Sequence, residues 1–264
     1  MRINRVLAAA GLATLLACGS AMATPSTQIW IPSTDVKSFK DIHIDVDNYM
    51  RFSPKSDAGP NYYNLGLSAG VLPGENVKLE IGIDLLTTSL QSDNAADNHP
   101  FYFNAKLGTP EDAFGIKGMP AFAMGAFNLG TYDKPENALS TRQNIVYGLV
   151  AKTLPVVGRL SVGGYYGSER ALATAYNPKA NNSGIMASWD RSMPEITDKL
   201  WLAVDYMSGN NGNGEVSVGG SWTFSKNVSL IVGVVFFNPF YSPSGTGDLP
   251  GGKPALTTQL DIAF

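Results

Sequence analysis

The stretch Ser38–Phe52 reads SFKDIHIDVDNYMRF. Ile42, Ile44, Val46, Met50 and Phe52 occupy one parity, broken only by Asn48. Asp41, His43, Asp45, Asp47, Tyr49 and Arg51 occupy the other. Successive side chains of a strand point to opposite faces, so this segment is a strand with one greasy and one wet face. A helix does not give this period.

The same rhythm recurs outward from that stretch. Val77, Leu79, Ile81, Ile83 and Leu85 oppose Lys78, Glu80, Gly82, Asp84 and Leu86. Turn residues punctuate the chain and predict twelve strands, at 38–52, 61–71, 76–89, 100–109, 119–129, 143–153, 158–168, 184–190, 198–208, 214–224, 227–237 and 255–264. Alternation is blurred in 119–129 and 184–190. The strand at 227–237 is apolar on both parities, which fits either packing against a plug or a lumen closed locally. The connections alternate in length. Leu72–Glu75, Leu154–Val157 and Ser225-Lys226 are tight, and Thr109–Gly118 and Met193–Glu195 are short to medium. Between them lie the polar loops 53–60, 90–99, 130–142, 169–183, 209–213 and 238–254.

Composition agrees. Charged residues make up 16% of the chain, against about 25% in soluble domains. Aromatics are 10%, with 28 glycines, and the net charge of −3 gives no case for nucleic-acid binding. Apolar residues dispersed by alternation suit strands with lipid on one side and water on the other. In lipid an unpaired backbone N–H or C=O costs several kcal/mol, so the sheet must close. The expected fold is therefore all-β: a transmembrane antiparallel up-and-down β-barrel of about twelve strands, with short turns on one rim and long loops on the other. Phe52, Tyr63, Phe101, Phe103, Tyr166, Tyr206 and Phe236 fall near the long-loop rim, and Trp189, Trp222, Phe224 and Phe264 near the short-turn rim, as interface girdles would.

The ends carry further signals. Arg2 and Arg5, the apolar run Val6–Ala17 and the small-residue pattern Ala21-Met22-Ala23 read as an export signal over 1–23. Cys18 is the only cysteine and loosely resembles a lipoprotein cleavage box, but Leu16 stands where a small residue belongs. Cleavage after Ala23 leaves no cysteine, hence no disulfide. Residues 24–37, with Pro25 and Pro32, read as an extended lead-in, and 38–264 as the barrel. The chain ends Leu256-Thr257-Thr258-Gln259-Leu260-Asp261-Ile262-Ala263-Phe264, alternating to a terminal phenylalanine. This resembles the C-terminal strand of bacterial outer-membrane β-barrels, small porin-like ones included. The resemblance implies that Phe264 serves as an assembly signal to the barrel-assembly machinery, and that the location is a Gram-negative outer membrane. The Thr24–Val36 start is similar to small barrels of environmental Gram-negative bacteria and implies no activity.

The inward parity collects the candidate functional residues: Asp41, His43, Asp45, Asp47, Arg51, Lys78, Glu80, Asp84, Lys106, Lys152, Arg159, Asp205, Glu215 and Asp261. Acids outnumber bases, which predicts a mild cation preference. The row Asp41, His43, Asp45, Asp47 has ligand types for a weak metal site, but it reads better as ordinary lumen charge. No cofactor motif is present. Gly66-Leu67-Ser68-Ala69-Gly70 matches the nucleophile-elbow pattern but lies inside a strand with no helix following. His43 and His99, the only histidines, have no serine neighbour in sequence. The loop Asp93–His99 is rich in oxygen ligands without a regular calcium-binding spacing. The expectation is a non-enzymatic narrow pore passing ions or small polar solutes, with lipids as surroundings. The alternative is a closed barrel whose long loops bind a partner, and a weaker one is an outer-membrane enzyme.

Overall fold

A computed structural model describes residues 26–55, 58–88, 97–134, 139–173, 181–241 and 251–264. The export segment 1–23 and most of the Asp93–His99 loop lie outside them. The strands are β1 (Ile42–Arg51), β2 (Tyr62–Gly70), β3 (Lys78–Thr87), β4 (Phe101–Thr109), β5 (Ala121–Gly130), β6 (Asp133–Lys134), β7 (Leu139–Ser140), β8 (Ile145–Leu154), β9 (Gly158–Tyr166), β10 (Ser183–Ser192), β11 (Leu200–Met207), β12 (Glu215–Ser225), β13 (Val228–Phe237) and β14 (Ala255–Ala263). β6 and β7 form a separate small hairpin in one long loop, and the other twelve make one closed barrel. Each barrel strand pairs antiparallel with its neighbours, and β1 closes on β14 from His43↔Ala263 to Arg51↔Ala255. No sheet edge is left for lipid to meet. The short turns, among them residues 155–157 and 226–227, share one rim, and the long loops share the other. No helix among the described residues is long and apolar enough to cross a membrane.

The alternation becomes an inside and an outside. Ile42, Val46, Leu65, Leu67, Ile81, Phe103, Val146, Val162 and Val232 are exposed, while His43, Glu80, Lys106, Asp205, Glu215 and Asp261 are buried. A large apolar exterior around a polar interior inverts a soluble protein and is what a bilayer requires. Val162 stands at mid-strand in β9 and is 53% exposed. Val162→Arg is expected to destabilise the barrel by about 2–4 kcal/mol, the cost of a basic side chain facing lipid at the midplane. Urea unfolding from bilayers measures it, and an unchanged midpoint would contradict a lipid-facing β9.

Two local features explain the blurred strands. In β5, Ala121 and Ala123 are buried and Phe127 packs on the inward Tyr147, whereas Leu129 pairs with the exposed Phe103. Parity therefore flips between Phe127 and Leu129. Asn128, with φ 52°, absorbs the extra residue, and the β4–β5 register shifts beside it; this is a bulge. In β10 the inward positions are Met186, Ser188 and Asp190. The first of these is fully buried against an apolar cluster inside the barrel.

That cluster exists because the lead-in enters the lumen. Thr27 and Pro32 bridge as an antiparallel pair, Gln28 N–H donates to the Ile31 carbonyl (2.8 Å), and Ser33 N–H donates to the Ser26 carbonyl (3.1 Å). Residues 26–33 thus form a tight hairpin whose tip is Gln28-Ile29-Trp30-Ile31. Ile31 packs with Ile145, Tyr147, Leu149, Tyr165, Met186 and Met207, and Ile29 packs with Ala203 and Ile231. Trp30 meets Tyr49 and Phe237 edge-on, at centroid distances of 5.1 and 5.3 Å. The two-sided apolarity of 227–237 is therefore the plug alternative, since Ile231, Val235 and Phe237 face the hairpin. The chain leaves the hairpin along β2, where Phe39 bridges Gly70 and Lys40 N–H donates to the Gly70 carbonyl. A Cβ at Gly70 would lie 1.9 Å from the Ser38 carbonyl oxygen, so only glycine admits this crossing.

Candidate lumen site

The wall of the lumen is two-sided. From β8 to β13 it carries the buried apolar residues that grip the hairpin, interspersed with Asp190, Asp205 and Glu215. From β1 to β4, with β14, it is acidic and faces open space. The short helix α1 (Glu169–Leu172), in the loop after β9, inserts Leu172 into the apolar cluster from the long-loop end. The remaining cavity has a volume of about 410 Å³. It extends from His43, Ser68 and Glu80 to Ala173 and Gly212 in the long loops, with Ser26, Thr27, Trp30 and Pro32 of the hairpin as one bank.

The hairpin is tied down by charged wall residues. Asp205 on β11 accepts three successive backbone N–H groups through one carboxylate oxygen: Ile29 at 2.7 Å, Trp30 at 2.9 Å and Ile31 at 3.4 Å. Successive N–H groups converging on an anion form a nest. The Ile29 carbonyl accepts from Gln259 Nε2 (2.6 Å) and Tyr49 Oη (3.3 Å). Glu80 takes the Ser26 hydroxyl (2.5 Å) and the Lys37 N–H (3.0 Å). Lys106 Nζ donates to the Ser26 and Asp35 carbonyls at 2.5 and 2.6 Å. Arg159 bridges Asp35 (2.8 Å) on the lead-in and Asp190 (2.9 Å) on β10, and Asp190 also accepts from Gln28 Nε2 (3.0 Å). Burial raises the Asp35 pKa, but the charge and hydrogen bond of Arg159, helped by Lys106 and Lys37, prevail and hold its carboxyl below the usual carboxylate value.

The acidic bank is organised by two amides. Asn64 Nδ2 donates to Asp45 (3.0 Å), Asp84 (3.3 Å) and Asp47 (3.5 Å), and Asn104 Nδ2 donates to Asp84 (2.7 Å). His43 Nε2 lies 3.0 Å from Asp261, and Nδ1 lies 3.9 Å from Asp45.

The remaining sequence-derived residues are dispersed. Asp41 is exposed just before β1, where it accepts from the Ser38 N–H (3.1 Å). Lys78 reaches Ser38 Oγ (2.9 Å) near the same rim. Lys152, expected in the lumen, stands on the outward parity of β8, paired in register with the exposed Leu160, and its ammonium meets Glu111 (2.6 Å) in the β4–β5 turn. Arg51 closes the opposite end, donating to the Pro60 (2.9 Å) and Gly251 (2.8 Å) carbonyls and to Lys253. Glu215 is fully buried and accepts from the Ser217 hydroxyl. Phe264 is exposed at the short-turn end, and its N–H donates to the Ile42 carbonyl (2.8 Å). Sequence reasoning did not find Asn64, Asn104, Gln259 and Asp190, which share the inward parity of these charges.

One spatial neighbour was hidden in the sequence. Ser68, from the glycine-flanked pattern, stands directly across from His43 in the β1–β2 register. Its hydroxyl makes no hydrogen bond to the imidazole. The backbone N–H groups around it belong to paired strands and are not aimed at an oxyanion.

The closed sheet, apolar outside and polar inside, defines the class: a transmembrane β-barrel of the bacterial outer-membrane type. No protein-family model matches the chain, and no curated protein matches it. Among solved structures it is similar to an outer-membrane channel from Pseudomonas putida F1, at 10% identity over 87% of this chain and 97% of that one, with a TM-score of 0.48. It is also similar to outer membrane phospholipase A from Escherichia coli (13% identity, 86% and 97% covered, TM-score 0.46). A third is OmpF of Salmonella typhi, solved with daunomycin (8% identity, 85% and 96% covered, TM-score 0.41).

Proposed function

We propose that this chain is a narrow, non-enzymatic pore of a Gram-negative outer membrane, passing ions and small polar solutes with a preference for cations. It is exported by the signal over 1–23 and assembled through the strand ending at Phe264. The observation that carries the reading is the acidic cavity beside the hairpin. Its wall holds Asp45, Asp47, Glu80, Asp84 and Asp261 against Lys106 and His43. Excess wall charge of one sign concentrates counter-ions in a low-dielectric channel. The hairpin narrows the passage to the acidic side, so conductance is small and selectivity follows the wall. In planar bilayers under a potassium chloride gradient, the zero-current potential is expected to take the sign of potassium permeation. A potential favouring chloride rejects the preference, and silence in bilayers rejects the pore.

The runner-up, a closed barrel whose long loops bind a partner, draws support from one observation: hairpin and α1 together fill the β8–β13 side. Among the described residues an enzymatic reading finds no nucleophile hydrogen-bonded to its base: Ser68 and His43 are adjacent but unjoined.

A further inference from the structure

Among the described residues, the four carboxylates of the acidic bank, Asp45, Asp47, Asp84 and Asp261, meet one basic side chain within ion-pair distance: His43, beside Asp45 and Asp261, while Asp47 and Asp84 have none. The lysine on the same wall is committed elsewhere, since Lys106 Nζ is held by two carbonyls of the lead-in. Neutral amide and hydroxyl donors leave this negative charge uncompensated beside the low-dielectric barrel wall, where a mobile cation gains most. A second observation points the same way. Ser68 lines this cavity at 9% exposure, and its hydroxyl has no partner. Asn64, which also lines it, has a buried carbonyl oxygen without a donor.

The bank is also shaped for something larger than a bare ion. Among the described residues no group of three or more acidic, histidine or cysteine side chains is spaced to hold a metal. Gly66 and Gly82 keep the wall low, because a Cβ at Gly66 would lie 2.3 Å from Asp45 Oδ1 and one at Gly82 2.5 Å from Asn104 Oδ1. Trp30, Tyr49 and Tyr102 stand on the cavity walls, and aromatic faces attract alkylammonium groups. The cavity's 410 Å³ is of small-ligand size.

We infer that the cavity is a saturable binding site for a small organic cation bearing ammonium groups, its charge on the Asp45, Asp47 and Asp84 carboxylates and its carbon chain along Trp30 and Tyr102. The inference rests on the cation-pore reading and adds a resident ligand class to it.

Titration calorimetry on the full chain refolded in detergent tests it, with putrescine as the probe and magnesium chloride and butanediol as comparison arms. Putrescine is expected to bind saturably and butanediol not at all. Asp47→Asn and Asp84→Asn are each expected to weaken putrescine about tenfold, the scale of one charge-assisted contact. Each variant is first checked for native heat-shifted migration, and the two stand in for one another if one misfolds. No saturable putrescine heat overturns the inference, as does affinity unchanged in the folded variants. Magnesium binding as tightly and losing affinity in the same variants also overturns it, in favour of an inorganic cation. A barrel that conducts potassium without binding putrescine loses this inference alone. A barrel that binds putrescine but is silent in bilayers keeps the site and loses the pore.

Discussion

Deleting residues 26–37 is expected to raise single-channel conductance several-fold. The hairpin occupies the β8–β13 half of the lumen, and its tip alone places Ile29, Trp30 and Ile31 between the walls. Current in the intact chain is confined to the acidic side, so removing the hairpin widens the cross-section while leaving Asp45, Asp47 and Asp84 in place. The cation preference should therefore weaken rather than reverse, because a wider lumen is screened more completely by salt. Stability is expected to fall at the same time. Ile29 and Ile31 are essentially fully buried, and each contributes about 1.5–3 kcal/mol by burial. Their loss also leaves Ile145, Met186, Met207 and Ile231 facing water. Planar-bilayer recordings and urea unfolding of the same preparations check both effects. Equal conductance with and without the hairpin would mean that it does not limit the passage.

How much of this was legible in the sequence follows from which force each element obeys. Barrel strands answer to a two-way choice at every position, lipid or lumen, and the choice is written in residue type. Segments such as Ser38–Phe52 and Val77–Thr88 therefore announced β1 and β3 within a few residues, and turn length sorted the rims. The alternation failed where a third environment intervened. The bulge at Asn128 shifted the phase of β5, and Met186 in β10 faces inward yet meets hydrocarbon. The hairpin itself was illegible as structure, because Thr27–Pro32 folds against wall residues distant in sequence, such as Asp205 and Gln259. Its trace was nevertheless present on the walls. A water-filled lumen gives no reason for Ile145, Leu149, Ile231 and Val235 to sit on inward parity, and a plug does. The acidic bank shows the opposite balance: its charges were readable by parity, but the amides that gather them, Asn64 and Asn104, look like any polar residue in a strand.

Asp205→Ala is expected to release the hairpin without shortening the chain. The carboxylate is 1% exposed and collects the Ile29, Trp30 and Ile31 N–H groups on one oxygen. A methyl in its place removes the one oxygen on which these three buried N–H donors converge. Leaving a donor of this kind buried and unsatisfied costs roughly 1–3 kcal/mol per group. The tip can recover that by hydration only if it withdraws towards the short-turn rim, where the lead-in enters beside Gly70. Asp205→Asn keeps one acceptor and should lie between the two. Hydrogen exchange at Ile29, Trp30 and Ile31 reads the release directly: protection present in the native chain, reduced in Asp205→Asn and lost in Asp205→Ala. Conductance should rise in the same order towards that of the deletion, and adding Asp205→Ala to the deletion should change it little, since the residue acts on the passage through the hairpin. Amides that stay protected in Asp205→Ala would place the grip on the hairpin in its apolar contacts, with the nest on Asp205 incidental to it.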